Sequence, residues 1–264
     1  MSNNYTSELV AAAGNYAKWT LQSGSNLTMY LNILAKFSEY SLNNQLLIMG
    51  YKPDATFIKG WYEWQENGYA INENATIIQI IEPVSLENGD RIFQAKYMAD
   101  VSDTSATINQ VPPDKLTALE ALLSDEKYNI AVVDEIKKGV RAMYMPNDKN
   151  IQVKRSSQAP PDEFFTAIAS EMVHARFAEG TEGVYKRASH TLTAMCTAYA
   201  LGIKYGIDVG NISFENLPEK YSQLSEKVCM KELSKIHDNF KDIDANISKT
   251  LEQIKIREVG EHAR

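Results

Sequence analysis

The chain has 264 residues, 44% of them hydrophobic and 23% charged, with a net charge of −7 and a pI near 5.3. That composition excludes a disordered polymer and supports one large or two modest domains, each with its own core. The acidity argues against a protein that holds nucleic acid mainly through a basic face, and two cysteines do not make a disulfide scaffold.

Cys196 and Cys229 lie in apolar helical contexts and read as buried free thiols. The chain begins Met-Ser-Asn-Asn without a basic-then-apolar leader, and no apolar run reaches the ~20 residues that span a bilayer. The expectation is a cytoplasmic protein in a reducing compartment, with no membrane partner.

Residues 5–50 read as helices. Tyr16, Trp19 and Leu21 belong to the first, and Leu27, Tyr30, Leu31, Leu34 and Phe37 give the i, i+3, i+4 spacing of a second. Asn43 and Asn44 cap a short third helix at 45–49, which Lys52-Pro53-Asp54 ends. Strands follow. Residues 55–58 make a short one, 61–65 an aromatic helix or turn, and 76–81 a β-rich run bounded by Pro83. Asn88-Gly89-Asp90 signals a hairpin, with 91–101 as the return strand.

Polar residues 102–114, ending in Pro112-Pro113, read as the linker. Lys115–Leu123 is then a helix and 129–133 a strand. Residues 140–145 and 151–154 flank Pro146-Asn147-Asp148-Lys149 as a second hairpin. After Pro160-Pro161 the pattern is helical, over 162–179, 188–205, 219–229 and 231–256.

The stretch that carries chemistry is Ser170-Glu171-Met172-Val173-His174. A zincin helix carries His-Glu-x-x-His, whose two His share one face and reach one Zn²⁺ while the Glu is the general base. Here the Glu and the second His are present, and serine, a poor zinc donor, stands first. A lone Glu-x-x-His also fits a buried histidine bonded to a neighbour.

Downstream, Ala194-Met195-Cys196-Thr197-Ala198-Tyr199 leads to Gly206-Ile207-Asp208 and Ile212-Ser213-Phe214, with a closing helix from Lys231-Glu232-Leu233. Upstream stand Tyr40-Ser41-Leu42-Asn43-Asn44-Gln45-Leu46-Leu47-Ile48, Lys52-Pro53-Asp54-Ala55-Thr56, Trp61-Tyr62-Glu63-Trp64 and Asp100-Val101-Ser102-Asp103-Thr104. Together these segments resemble the ArdC-like and LtrC-like proteins of plasmids, phages and integrative elements. The resemblance implies an N-terminal single-stranded-DNA-binding domain followed by a zincin-like metallopeptidase domain. In that family a Glu supplies the third metal ligand, and Met195 stands at its position.

The chain departs from the family in a second place. Relatives carry a basic turn before the strand at 76–81, where this chain has Ile71-Asn72-Glu73-Asn74-Ala75. Residues 1–110 hold six Lys and Arg against eleven Asp and Glu, a balance of −5.

The resulting expectation is an α+β protein. Residues 1–110 form an ArdC-type domain of helices on a small antiparallel sheet, and 111–264 a degenerate zincin-like helical domain with a small hairpin sheet. Asn44, Lys59, Trp61, Tyr62 and Trp64 are the candidate nucleic-acid residues, with aromatic rings to stack on bases. Trp61 and Trp64, three apart, fit equally a helical face packed on the sheet. Glu171 is the catalytic remnant and His174 the metal remnant, with Ser170 and Met195 at the lost ligand positions and Met195 packed against the His174 helix. His190, His237 and His262 read as solvated.

No cofactor is expected, with zinc only if the site is atypical. The function expected is that of a mobile-element accessory protein similar to anti-restriction proteins, its peptidase half inactive and acting by binding. Its partners would be single-stranded DNA, held weakly, and a host defence or mobile-element protein. Two alternatives stand beside it: an active zinc metallopeptidase, and a protein-binding decoy without DNA or metal.

Overall fold

Three helices open the chain: α1 (Ser2–Thr20), α2 (Gly24–Lys36) and α3 (Leu42–Tyr51). The computed structural model describes residues 2–86, 89–109, 111–155, 159–180, 184–217 and 219–262. Leu9, Ala13 and Ala17 form a buried stripe on α1, and α2 buries Leu27, Tyr30, Leu31, Ile33 and Leu34. The third helix is longer than the sequence suggests. Its N-cap is Ser41, whose Oγ accepts from the Asn44 N–H at 3.4 Å, so Asn44 lies inside the helix.

The strands β1 (Ile58–Gly60), β2 (Ile78–Ser85) and β3 (Arg91–Asp100) form an antiparallel sheet in the order β1-β3-β2. α4 (Trp61–Glu66) follows β1 directly. Pro83 does not end β2 but pairs with Phe93 inside it. The Ile81 N–H and C=O point away from β3, because both bond Asn44. Side chains and backbone groups alternate along a strand, so the Pro83 nitrogen faces the same open edge and costs no ladder bond. Of the hairpin signal, Asn88 lies outside the described residues, while Gly89 takes φ +86°.

Asp100-Val101-Ser102-Asp103-Thr104 is a structural staple rather than the start of a free linker. Asp100, fully buried, accepts from Thr56 N at 2.7 Å, Phe57 N at 2.9 Å and Ser102 N at 3.0 Å. Asp103 pairs with Lys52 at 3.3 Å and accepts from Thr76 N, and Thr104 bridges Ile71. The segment around 71–76 is thereby tied to the sheet end.

The second set comprises α5 (Lys115–Leu123), β4 (Ile130–Val133), β5 (Ala142–Met145), β6 (Asn150–Lys154), α6 (Pro161–Glu179) and α7 (Thr191–Lys204). Its sheet order is β4-β6-β5, with the expected β5–β6 hairpin and a parallel β4–β6 pair that local pattern does not announce. α7 stops in a Schellman motif. Gly206 takes φ +69°, and Ile207 N–H reaches back to Gly202 O at 2.9 Å. The expected helix at 219–229 is instead a single 3-10 turn, Glu219–Tyr221, ahead of α8 (Glu226–His262).

The fold is α+β, and the chain divides into two compact units. One is Met1–Gln110 with Ser213–Ser234, the other Val111–Ile212 with Lys235–Arg264. Ser213–Ser234 joins the first because Phe214 is buried there and its carbonyl abuts Gly24, where an added Cβ would stand 1.9 Å from the oxygen. Among the described residues no helix is long and apolar enough to cross a membrane.

Candidate functional site

In the first unit the expected nucleic-acid set splits by burial. Asn44 is 7% exposed, and its amide donates to Ile81 O at 2.9 Å and accepts from Ile81 N at 2.8 Å. It acts as a surrogate strand partner at the open edge of β2, so neither end is offered to a ligand. Trp64 is 1% exposed, its Nε1 donating to Ala99 O at 2.9 Å and its ring set edge-on to Phe57 and Tyr69. It is a core residue. Lys59 is half-buried with Nζ 5.3 Å from the Trp64 ring centroid, a cation held by that ring.

Trp61 and Tyr62 remain accessible. Tyr62 is 74% exposed, and both line a groove of about 210 Å³ with Glu63, Glu82, Lys96 and Tyr97. Tyr97, 47% exposed, was not singled out from the sequence, although strand alternation on β3 could have marked it. Lys96 pairs with Glu63 at 2.9 Å and Glu82 at 3.1 Å, so its charge is largely neutralised where it stands. Lys52 is likewise committed to Asp103, and Lys36 Nζ donates to Ala55 O. The groove is aromatic and nearly neutral.

In the second unit α6 places Glu171 and His174 on one face, at i, i+3. Both are buried, at 4% and 1% exposure. Glu171 Oε2 accepts from the Tyr144 N–H of β5 at 2.7 Å and from Arg187 Nη1 at 2.8 Å, while Oε1 accepts from Arg187 Nη2. The bidentate pair fixes both carboxylate oxygens. His174 Nδ1 shares a hydrogen bond of 2.7 Å with the Tyr185 hydroxyl. Burial pushes the His174 ring down to about 4, and the nearby Arg187 charge pushes it the same way, so the imidazole is neutral at ordinary pH. His190 is not a solvated surface group: its ring stacks on Phe177 at 4.0 Å and on Tyr185 at 5.9 Å. His237 is also buried, 3.1 Å from Asp238, and the side chain of His262 lies outside the described residues.

Ser170 and Met195 are brought together elsewhere. They line an open cleft of about 580 Å³ with Arg141, Glu163, Thr166 and Asn211. Met195 faces that cleft beside Ser170 and Thr166 of the helix that bears His174, and is half-buried there rather than fully buried. Arg187 and Tyr185, which hold the Glu171–His174 face, were not singled out from the sequence. The available signal was the basic run Lys186-Arg187 after a helix that buries a carboxylate.

These features define a two-unit α+β protein with an exposed aromatic groove in one unit and a satisfied carboxylate–imidazole cluster in the other. The chain is ArdC-like in fold. The Mn(II)-bound crystal structure of the antirestriction protein ArdC from plasmid R388 matches it with a TM-score of 0.55 at 12% identity. That match covers 84% of this chain and 98% of that one. The metal-free structure of the same protein matches 78% of this chain and 85% of its own, at 12% identity and a TM-score of 0.48. No family model matches the chain, and no curated protein does.

The comparison corrects the expectation that no cofactor is involved, because R388 ArdC has a Mn(II)-bound structure. The residues at Glu171 and His174 do not by themselves fit such a centre. Among the described residues no three His, Cys, Asp or Glu side chains converge, and the Glu171 carboxylate already faces a guanidinium.

Proposed function

We propose that this chain is an antirestriction-type accessory protein of a mobile element that acts by binding. The observation that carries the reading is the correspondence of fold with antirestriction ArdC over most of both chains. The first unit takes single-stranded nucleic acid on Trp61, Tyr62 and Tyr97, whose rings offer π-faces to successive bases. The charge of −5 over residues 1–110, with Lys52 and Lys96 internally paired, makes stacking rather than phosphate neutralisation the main contribution.

The second unit is a zincin-like scaffold that recognises a host defence or mobile-element protein. In a working zincin the Glu after the first ligand must accept a proton from water. Glu171 has both oxygens engaged by Arg187 and Tyr144 N–H, which supports binding over hydrolysis.

The test is the affinity of a fluorescent single-stranded oligonucleotide at two salt concentrations. The expected result is weak binding with a shallow salt slope, weakened at least about fivefold by Tyr62→Ala and little by Lys59→Ala. Absence of binding at low salt would remove the nucleic-acid role. A steep slope with Tyr62→Ala silent would reject stacking.

A further inference from the structure

The aromatic groove of the first unit has a polar floor that stacking alone does not account for. β2 and β3 pair in the register Ile80↔Lys96 and Glu82↔Gln94, so Glu82 and Lys96 are diagonal neighbours on one face of the sheet. Glu63 reaches the same ammonium from α4, the helix that carries Trp61 and Tyr62. Lys96 Nζ stands 2.9 Å from Glu63 Oε1 and 3.1 Å from Glu82 Oε1. The bond between Glu63 and Lys96 holds the carboxyl below its ordinary range and the ammonium above its own. All three side chains are half-buried and line the groove beside Trp61 and Tyr62.

This arrangement leaves hydrogen-bonding capacity on the groove side. An ammonium has three N–H donors, and two carboxylates take two of them. Among the described residues Glu82 engages Lys96 through Oε1 alone. The floor therefore offers one donor next to a carboxylate edge that can accept two bonds, in the order donor, acceptor, acceptor. A base stacked against the rings of α4 presents its edge to that floor. The Watson–Crick edge of guanine runs O6 acceptor, N1–H donor, N2–H donor, which is the complement. Thymine carries a single donor between two carbonyls, so one carbonyl would face the carboxylate. Cytosine and adenine each set a ring-nitrogen acceptor beside their amino group and cannot satisfy both carboxylate oxygens.

We propose that the groove reads guanine in a single strand: Glu82 accepts from N1–H and N2–H, Lys96 donates to O6, and Glu63 positions Lys96. The inference rests on the nucleic-acid reading of this groove. It adds a base preference that stacking does not supply, since every base has a π-face.

The experiment measures the affinity of the full chain for a fluorescent thymidine strand of about twelve residues and for the same strand with one central dG, dA, dC or deoxyinosine. The dG strand is expected to bind at least about fivefold more tightly than the thymidine strand, with dA and dC close to the latter. Deoxyinosine lacks only the N2 amino group and is expected to fall between dG and thymidine. Glu82→Gln puts an amide donor against the N–H groups and is expected to erase the dG preference. Free dGMP, which has no neighbouring bases to stack, is expected to compete at least about fivefold more weakly than the dG strand. A thymidine strand that binds as well as the dG strand overturns the guanine assignment and leaves the stacking reading standing. No binding of any strand at low salt overturns both. Deoxyinosine equal to dG in the wild type, or a preference that survives Glu82→Gln, overturns the role of Glu82. Competition by dGMP equal to that of the strand overturns a strand as the source of the base.

Discussion

Asn44→Ala separates a structural role from a nucleic-acid role at one residue. In the folded protein the Asn44 amide satisfies both the N–H and the C=O of Ile81 on the open edge of β2. Alanine leaves both groups without their partner where water has poor access, since Asn44 itself is 7% exposed. A buried donor or acceptor stripped of its partner costs about 1–3 kcal/mol, so the pair should cost about 2–6 kcal/mol in all. A unit of this size should then melt on the order of 7–20 °C lower. Asn44→Asp should be at least as damaging, because it loses the donor to Ile81 O and brings a carboxylate toward that carbonyl. Chemical denaturation followed by tryptophan fluorescence reads the loss, with buried Trp64 reporting on the same unit. A loss under about 0.5 kcal/mol would refute the edge-clamp reasoning. Loss of oligonucleotide affinity in an Asn44→Ala protein of full stability would return Asn44 to the binding surface.

Trp64→Ala should cost about 3–5 kcal/mol of stability, whereas Tyr62→Ala should change stability by less than about 0.5 kcal/mol; thermal melts of the two variants check this. Burial of Asp100 opposes its ionisation, but hydrogen bonds from Ser102, Thr56 and Phe57 outweigh it and hold the carboxyl below its ordinary value. The stability it contributes is therefore full above the unfolded value and is lost as pH falls through the folded one. Asp100→Asn should flatten the acid limb below about pH 4 in a stability-against-pH series. Met195→Glu places a carboxylate at an open, half-buried cleft, so its cost should stay under about 1 kcal/mol by thermal melt. A loss of several kcal/mol would show that the cleft is closed around it.

The sequence announced the helices because their apolar spacing is local; Lys115–Leu123 matches residue for residue. At Asn44 the sequence is ambiguous, because Asn suits a cap and an edge clamp equally, and only the neighbouring strand decides between them. Whether Pro83 breaks a ladder depends on which way its nitrogen faces, a matter of pairing register that local sequence does not carry. The parallel β4–β6 pair joins segments about twenty residues apart, with the β5 strand between them in sequence. At the site, i, i+3 spacing made the shared face of Glu171 and His174 legible. Arg187 was not legible, because it returns to α6 only after the turn that follows that helix. Of the aromatic set, Trp64 and Tyr62 are two residues apart on one short helix, and packing against β3, Phe57 and Tyr69 buries one while the other stays exposed.

The most direct test of the central claim, protection by binding rather than hydrolysis, is the efficiency with which unmodified phage or plasmid DNA enters a restricting host that expresses this protein. The wild type should raise that efficiency above the vector control. Glu171→Gln should protect equally well, since Gln can still accept from Tyr144 N–H and no proton need be abstracted, while Tyr62→Ala should protect less. No protection by the wild type, or loss of protection in a well-folded Glu171→Gln protein, would contradict the account.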